Sequence, residues 1–353
     1  MKKIKVLFMF VLCMALFTAC AKDSTDTKEV AVTTEAPTEA AVTPTPAPAA
    51  TEAPAKKIDI KVGGLKGPTA IGMVKMMEDA EAGTTANNYA FTIAGAADEI
   101  STALIKGELD IAAIPCNLAS VLYNKTEGKI KVAGINTLGV LYIVETGDTI
   151  KSVEDLKGKT IYSTGKGTTP QYTLNYILTS HGIDPEKDVT IEYKSEPTEV
   201  AAMLAESTDA VAMLPQPYVT TVMMTNDKVR IALDVAKEWD AVSTDGSSVV
   251  TGVVVVRREF LENNKEAFDA FMTEYTLSAA YANENVDEAS TLVEKFDIFK
   301  AAPMKKAMSF CNITMIQGED MKSKISGYLN TLFSQNPESV GGKLPADDFY
   351  YIQ

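Results

Sequence analysis

The chain has 353 residues, of which 46% are apolar and 23% charged, and its formal net charge is −14. This length and composition predict one large or two medium globular domains. Only three arginines are present and the composition is acidic, so nucleic acid and anionic lipid surfaces are poor partners. With one histidine, His181, and four cysteines, the sequence argues against a metal centre, a histidine-based catalytic site and a disulfide framework.

Residues 1–19 carry three lysines followed by an apolar run, and small residues precede Cys20. This arrangement is typical of a secretory signal peptide, and the run is too short to span a membrane comfortably. A cysteine directly after Thr18 and Ala19 resembles a bacterial lipobox, which predicts lipidation of Cys20. The alternative is an ordinary signal peptide in which Cys20 has no role. Removal of residues 1–19 takes away three lysines and no acids, so the net charge changes from −14 to −17.

Residues 20–56 are predicted to be a lipidated, disordered linker. After Cys20 the segment is rich in Ala, Thr and Pro and contains no aromatic residue, Leu or Ile. Such a composition cannot bury enough apolar area to offset the entropy of an ordered chain. Pro and Thr keep it extended, which suits a stalk like those of Gram-positive lipoproteins.

From residue 57 onward, strands and helices alternate, which predicts an α/β fold with mostly parallel sheets covered by helices. The alternation restarts at Ser152, which indicates a second lobe. Everything after Glu259 is predicted to be helical, with no further strand, and to pack on the first lobe. The chain is expected to cross between the lobes near 145–147 and near 235–248. The predicted domains are the signal peptide at 1–19, the linker at 20–56, lobe I at 57–145 plus 249–353, and lobe II at 146–248.

Four strand-to-helix turns are expected to face one another across a cleft between the lobes. In the first of them, a strand is predicted to end at Gly63 and Gly64, and a helix to begin at Pro68. Turns of this kind leave N–H groups unpaired at the start of a helix. The alternative is that their residues cap helices and bind no ligand. The predicted ligand-binding residues in these turns are Gly67, Pro68 and Thr69, then Cys116 and Asn117, then Ser163, Thr164, Gly167 and Thr168, and finally Gln216 and Tyr218.

The charged and aromatic residues near these turns leave two alternatives open. Lys66 and Lys166 could supply charge for a sulfonate or carboxylate, or they could be solvated loop lysines. No arginine lies in any predicted turn, so a bidentate clamp on an acid is not expected. This favours a neutral or heterocyclic ligand. Trp239, in the second crossing, could stack on such a ring or pack in the hinge.

Three segments resemble the solute-binding proteins of ABC importers, which have the type 2 periplasmic-binding-protein fold. They are GELDIAAIPCNLAS (107–120), KSVEDLKGKTIYSTGKGT (151–168) and DAVAMLPQPYVTT (209–221). The resemblance covers residues 57–353 and is to the branch that binds nitrate, taurine, aliphatic sulfonates and thiamine-pyrimidine precursors. It implies two mixed, mostly parallel sheets joined by a two-strand hinge. In that branch the third segment usually has Glu-Pro before an aromatic residue, whereas this chain has Gln216, Pro217 and Tyr218. A neutral amide therefore stands where a carboxylate could meet a cation.

The sequence thus predicts a monomeric, lipid-anchored receptor on the extracytoplasmic face of the cell membrane, with no cofactor. Its expected partners are an ABC permease and a small organic solute, either a sulfonate or a heterocycle similar to a thiamine precursor. Contacts made by both lobes would exist only in the closed state, so binding would favour closure about the hinge. One alternative is an enzyme of pyrimidine or quinone-precursor metabolism on the same fold, which would need an activated nucleophile or a metal cluster. Another is a receptor that senses a ligand without transporting it.

Overall fold

The computed structural model describes residues 56–244 and 247–352. Residues 55–353 form one compact unit. The predicted signal peptide, the lipidation site at Cys20 and all but the last residue of the predicted linker lie outside the described residues. In the part of the chain that is described, no helix is both long enough and apolar enough to span a bilayer.

The described strands and helices alternate through the first two thirds of the unit. The strands are β1 (Asp59–Leu65), β2 (Asn88–Ala94), β3 (Ile111–Pro115), β4 (Ile130–Leu138), β5 (Leu141–Thr146), β6 (Thr160–Ser163), β7 (Thr190–Tyr193), β8 (Val211–Pro215), β9 (Val229–Asp234), β10 (Val250–Arg257) and β11 (Ile313–Ile316). The helices are α1 (Pro68–Ile71), α2 (Val74–Glu81), α3 (Ala97–Lys106), α4 (Cys116–Lys125), α5 (Thr169–Ser180), α6 (Pro197–Glu206), α7 (Tyr218–Thr225), α8 (Val235–Val242), α9 (Arg258–Asn263), α10 (Lys265–Glu284), α11 (Val286–Lys295), α12 (Ala301–Ala307) and α13 (Gly318–Gln335).

The first sheet has six strands in the order β11-β4-β10-β3-β1-β2. β1 pairs in parallel with β2 and β3, whereas β10 is antiparallel to β3 and β4, and β11 is antiparallel to β4. The valines at 253–256 are fully buried because α1, α2 and α10 to α12 cover one face and α3, α4 and α13 cover the other. We call this sheet and its helices lobe I.

The second sheet has five strands in the order β7-β6-β8-β5-β9. β6 is parallel to β7 and β8, and β5 is antiparallel to β8 and β9. Helices α6 and α7 pack on one face and α5 on the other. We call this sheet and its helices lobe II. The predicted fold class, two mixed α/β sheets in separate lobes, is confirmed.

The first crossing between the sheets lies earlier than the sequence pattern indicated. β4 ends at Leu138 in the first sheet, and β5 begins at Leu141 in the second. The predicted crossing near 145–147, and with it the lobe I boundary at residue 145, is therefore wrong. Residues 141–146 are all buried, so their apolar pattern does not distinguish one sheet from the other. The return crossing runs from β9 through α8 to β10.

Two further elements differ from the sequence expectations. A strand does follow Glu259: β11 joins the edge of the first sheet and pairs with β4 at Ile313 and Ile316. Its four residues lie among helices and give too short a pattern to recognise. The first predicted helix is split into α1 and α2 at Gly72, where a Cβ would lie 3.2 Å from both Ile313 Cγ2 and Tyr275 Cε2.

Candidate functional site

The facing edge of lobe I is defined by strand register. Pro115 at the end of β3 pairs with Gly252 near the start of β10, and Gly252 pairs with Thr137 near the end of β4. Because β1 is parallel to β3, its end and the turn before α1 lie at the same edge. Two of the predicted turns, at 67–69 and 115–117, therefore lie side by side.

The facing edge of lobe II is also defined by strand register. Leu141 at the start of β5 pairs with Pro215 at the end of β8, and Tyr142 pairs with Asp234 at the end of β9. β6 is parallel to β8, so the turn after Ser163 lies at this edge too. Both crossings leave and enter the sheets at these two edges, so the edges face each other. We call the space between them the cleft.

The turn at 67–69 borders unfilled space. Gly67 has φ +124° and ψ −157°, a conformation that is essentially restricted to glycine. It is buried, yet a Cβ added there would have no heavy atom within 4 Å. Pro68 is half-buried and opens α1. The turn therefore leaves room beside its backbone at the edge of lobe I.

A buried polar group holds this turn from behind. Asn136 Nδ2 donates to the backbone oxygen of Thr69 at 2.9 Å and to Tyr275 Oη at 2.9 Å. The Tyr275 hydroxyl in turn donates to Thr69 O at 3.3 Å. Burial raises the pKa of Tyr275, so its hydroxyl stays protonated and keeps donating. Asn136 Oδ1 and the neighbouring Thr137 Oγ1 are buried and have no hydrogen-bond partner within the described residues.

Cys116 and Asn117 lie at the start of α4 and are both buried. Burial raises the pKa of the Cys116 thiol, so it remains a neutral thiol. Cys311 is likewise buried, and the structure shows both cysteines as free thiols. The side-chain amide of Asn117 already has protein partners on both of its polar atoms: Nδ2 donates to Ser339 O at 3.1 Å, and Oδ1 accepts from Thr169 Oγ1 at 3.3 Å.

The turn at 163–168 is the lobe II counterpart. Ser163 and Thr164 are buried, and Ser163 Oγ donates to Thr164 O at 3.3 Å. Thr168 Oγ1 donates to Gly165 O at 2.8 Å, which closes the turn on itself. Gly167 is exposed and its N–H donates to Gln171 Oε1 at 2.7 Å. These bonds hold the turn together and tie it to the first turn of α5, but the Thr168 side chain makes no capping bond to the N–H groups of α5.

Gln216 is buried, and its orientation is fixed by α7. Its Oε1 accepts from the backbone N–H of Thr220 at 3.1 Å and from Thr220 Oγ1 at 2.8 Å. The amide NH2 is therefore the end directed away from α7. Tyr218 is half-buried, and its ring meets Phe299 of lobe I edge-on, with centroids 5.0 Å apart. Burial, and secondarily Glu196, raises the pKa of Tyr218.

Trp239 packs in the hinge core. It is fully buried, its ring lies against Tyr176 and Tyr328, and Nε1 donates to Ser247 O at 3.1 Å. Of the two interpretations left open by the sequence, packing in the hinge is the one observed, and no face of the indole is left for a solute.

Few of the described cations lie at the facing edges. Lys66 pairs with Asp297 at 2.5 Å, and Lys166 is an exposed residue of its turn. The three arginines lie at the opposite ends of the sheets and pair with acids there: Arg230 with Glu145 and Asp148, Arg257 with Asp110 and Glu259, and Arg258 with Asp348. His181 is also remote, at the far end of α5, where Nδ1 lies 2.7 Å from Glu154 Oε1.

Three residues at this site were missed by the sequence analysis. Asn136 and Thr137 follow the apolar run 132–135 near the end of β4, and that change to polar residues was a usable signal. Phe299 comes from a segment far away in sequence, so no local pattern could place it opposite Tyr218.

Comparisons with known proteins identify the relatives of this fold. Residues 130–289 match the family model described as NMT1/THI5 like. A crystal structure described as an ABC transporter from Parabacteroides distasonis is 25% identical, covers 83% of this chain and 98% of that chain, and has a TM-score of 0.69. The alkanesulfonate-binding protein SsuA from Xanthomonas axonopodis pv. citri, bound to MOPS, is 13% identical over 85% of this chain and 100% of its own, with a TM-score of 0.66.

The periplasmic nitrate-binding protein NrtA from Synechocystis PCC 6803 is also similar, with 13% identity, 83% coverage of each chain and a TM-score of 0.61. Among curated proteins, no significant match was found. These matches confirm the resemblance drawn from the three segments and the fold that it implied.

Proposed function

We propose that this chain, which has the fold of the substrate-binding components of ABC importers, is the extracytoplasmic lipoprotein that captures a small organic solute for one such importer. The solute binds in the cleft, and the lobes close on it by bending at the two crossings. The observation that carries this proposal is the pair of facing sheet edges, each bearing strand-to-helix turns, joined by two crossings. Ligands of open α/β sheets bind outside the carboxyl ends of their strands.

Within the cleft, we propose that the solute contacts the turns at 67–69 and 163–168 together with Gln216 and Tyr218. The unfilled space beside Gly67 gives a solute room there. The NH2 group of Gln216 offers donors, and Tyr218 offers an aromatic edge. Trp239 is not part of this proposed set because its ring is enclosed by Tyr176 and Tyr328.

The charge distribution favours an uncharged heterocycle over a sulfonate. All three arginines pair with acids at the ends of the sheets away from the cleft, and Lys66 pairs with Asp297. Apart from the exposed Lys166 in the turn at 163–168, a sulfonate would therefore be held by neutral donors. An uncharged ring with several acceptor atoms fits amide and hydroxyl donors without needing a cation.

A thermal-shift screen tests this proposal. Candidate solutes are taurine, alkanesulfonates, thiamine-pyrimidine precursors, riboflavin and nitrate, and one that binds the folded state alone raises the melting temperature. The screen is repeated on Gly67→Ala, whose added methyl group projects into the unfilled space. Gly83→Ala is the control for a glycine with positive φ and no heavy atom near its Cβ position that lies outside the cleft, beyond the end of α2. Because an alanine is strained at the φ and ψ of Gly67, the shift of Gly67→Ala is interpreted only if its melting temperature without solute matches that of the wild type. We expect Gly67→Ala to lose the shift and Gly83→Ala to keep it. Equal shifts in both variants would place the solute elsewhere.

Lipid anchoring through Cys20 is tested separately. We expect a clickable fatty-acid analogue to label the wild-type chain in cells and the protein to sediment with membranes. Cys20→Ala should abolish the labelling and release the protein. Unlabelled wild-type protein would reject the anchor and leave solute binding untouched.

A further inference from the structure

The side chain of Asn117 joins three parts of the molecule in one buried position. It lies at the start of α4 in lobe I and is 2% exposed. Its Nδ2 donates to Ser339 O in the C-terminal turn Pro337–Val340, and its Oδ1 accepts from Thr169 Oγ1 in lobe II. The orientation of the amide is settled because a backbone carbonyl can only accept. Both polar ends of Asn117 are therefore committed to protein groups.

The C-terminal turn is fixed to lobe I independently of Asn117. Ser120 Oγ donates to Val340 O at 2.8 Å, and Asn124 Nδ2 donates to the same oxygen at 2.9 Å. Both side chains belong to α4, as Asn117 does. The Ser339 carbonyl is thus a fixed acceptor that holds the Asn117 amide with its oxygen turned towards lobe II.

On the lobe II side, Thr169 is the first residue of α5 and directly follows the turn at 163–168. It is 2% exposed. One turn further along α5, Thr173 Oγ1 lies 3.2 Å from the buried hydroxyl of Tyr328 on α13. The start of α5 therefore meets both α4 and the C-terminal segment through buried hydroxyl groups.

We propose that Asn117 is a positioning residue that fixes the lobe II turn against lobe I through Thr169 and does not itself touch the solute. The proposal rests on the proposed function, because it assigns Asn117 a role in closing the cleft. When the lobes separate, the hydrogen bond from Thr169 Oγ1 to Asn117 Oδ1 is broken. The bond from Asn117 to Ser339 lies within lobe I and is kept. Closure is thus favoured by a contact built entirely from protein atoms.

The test measures the distance between the lobes by double electron–electron resonance and needs no solute. It uses the unlipidated chain from residue 20 with Cys20→Ser, spin-labelled at Lys125→Cys and Lys187→Cys. These two exposed positions lie at the ends of the lobes remote from the cleft. Cys116 and Cys311 are buried and have raised thiol pKa values, so they do not compete for the label.

Thr169→Val removes the hydroxyl and keeps the shape of the side chain. Because the Thr169 hydroxyl also interacts with Tyr328 Oη on α13, Thr169→Val is compared with Tyr328→Phe, which keeps the bond to Asn117. We expect the ratio of the short-distance to the long-distance population to fall about fivefold further in Thr169→Val than in Tyr328→Phe, the change in an equilibrium constant produced by losing one net hydrogen bond. Thr169→Ser restores the hydroxyl and should return the wild-type distribution. Ser120→Ala is the matched control: it loses a buried bond from α4 to the same C-terminal turn without touching lobe II. We expect it to lower the melting temperature and leave the distances unchanged.

Two results would overturn the proposal. One is an identical distance distribution for wild type and Thr169→Val, whether both are short or both are long. The other is an equal change in Ser120→Ala, which would assign the effect to general loosening around α4. Neither result bears on whether a solute binds, which the thermal-shift screen decides on its own.

Discussion

At the level of single residues, the edge of lobe I depends on the absence of a side chain at Gly252. A Cβ there would lie 2.5 Å from Asn136 Oδ1 and 2.6 Å from Thr69 Cγ2. Both of these neighbours are buried, and Asn136 is held by its bonds to Thr69 O and Tyr275. β10 therefore approaches the groups that hold the turn before α1 so closely that a side chain at residue 252 does not fit.

Gly252→Ala should therefore destabilise the protein. We expect a loss of about 1–3 kcal/mol in the free energy of unfolding, typical of an overpacked site, measured by urea denaturation. Gly95→Ala is the control, because a Cβ at Gly95 meets nothing within 4 Å and its φ is not positive. That control should be neutral or slightly stabilising. If both variants unfold at the same urea concentration, the close packing at Gly252 has no energetic importance.

Glu145 is a second residue whose environment determines a property that can be measured, the pKa of its carboxyl group. Its side chain is 2% exposed, and its carboxylate accepts from Thr149 N at 3.0 Å, Thr149 Oγ1 at 2.9 Å and Ile150 N at 3.0 Å, as well as from Arg230. Burial by itself raises the pKa of Glu145. The hydrogen bonds and Arg230 outweigh burial, so the pKa is held below the usual value of 4.5.

A pH titration of stability checks this assignment. Because the folded pKa is depressed, the stabilisation is complete above the unfolded pKa and is lost as pH falls through the folded value. Glu145→Gln should cost about 1–3 kcal/mol at pH 7, as expected when buried hydrogen bonds to a carboxylate are weakened while Arg230 stays partly exposed and paired with Asp148. The difference from wild type should shrink below about pH 4. The exposed Glu186→Gln serves as control and should follow the wild type throughout. A difference that stays constant with pH would show that Glu145 is not the titrating group.

At the level of elements, the two crossings pack directly on each other. A Cβ at Gly139, in the first crossing, would lie 2.6 Å from Ala236 Cβ and 3.4 Å from Val249 Cβ, both in the second. Asn312 Nδ2 donates to Gly139 O, and Gln216 N donates to Val140 O at 3.0 Å. The hinge is therefore a pair of touching backbone segments with bonds to both lobes.

Gly139→Ala should push the crossings apart and lower the free energy of unfolding by about 1–3 kcal/mol. Ala236→Gly removes the atom that clashes, at a cost of about 1 kcal/mol for a glycine in a helix. In the double variant the clash is gone, so the two losses should not add. In a double-mutant cycle of unfolding free energies measured by urea denaturation, we expect a favourable coupling energy of about 1–2 kcal/mol. If the changes in the free energy of unfolding of the two single variants simply add in the double variant, the two crossings are not in contact.

The elements also show which parts of the fold the sequence could predict. Alternation and turn residues predicted both lobes and most strands, because those signals are local. They did not place β5 in the second sheet or find β11, because pairing partners decide both and lie far away in the chain. α8 was missed although Asp234 is a recognisable N-cap: its carboxylate accepts from Ala236 N at 3.1 Å.

The candidate site also has a part that the sequence could predict and a part that it could not. Its turns were predictable, since each contains glycine or proline close to the end of a strand. The roles of individual residues were not, because each depends on a partner remote in sequence. Asn117 shares its amide with Ser339 and Thr169, and Trp239 is enclosed by Tyr176 and Tyr328. Whether any residue of the set contacts a solute stays a prediction.

For the whole molecule, net charge and the layout of the cleft point to the same class of solute. The formal charge of −14, or −17 after the predicted removal of residues 1–19, gives the protein a field that repels anions and slows their association, and this effect weakens as salt screens it. Lys66 is paired with Asp297, and the arginines pair with acids away from the facing edges. Apart from Lys166, an anionic solute would therefore find few local cations, and it would meet repulsion on approach.

Salt dependence of the association rate, measured by stopped flow with the solute found in the thermal-shift screen, distinguishes the two classes. For an uncharged heterocycle we expect a change of less than about twofold between roughly 20 and 500 mM salt, and for a sulfonate a rate that rises with salt. Lys66→Gln and Lys166→Gln should each leave the affinity for the heterocycle within about twofold, because a paired or solvated lysine contributes little to a neutral ligand. A tenfold or greater loss of affinity in either variant would instead identify that lysine as the counter-charge of an anionic solute.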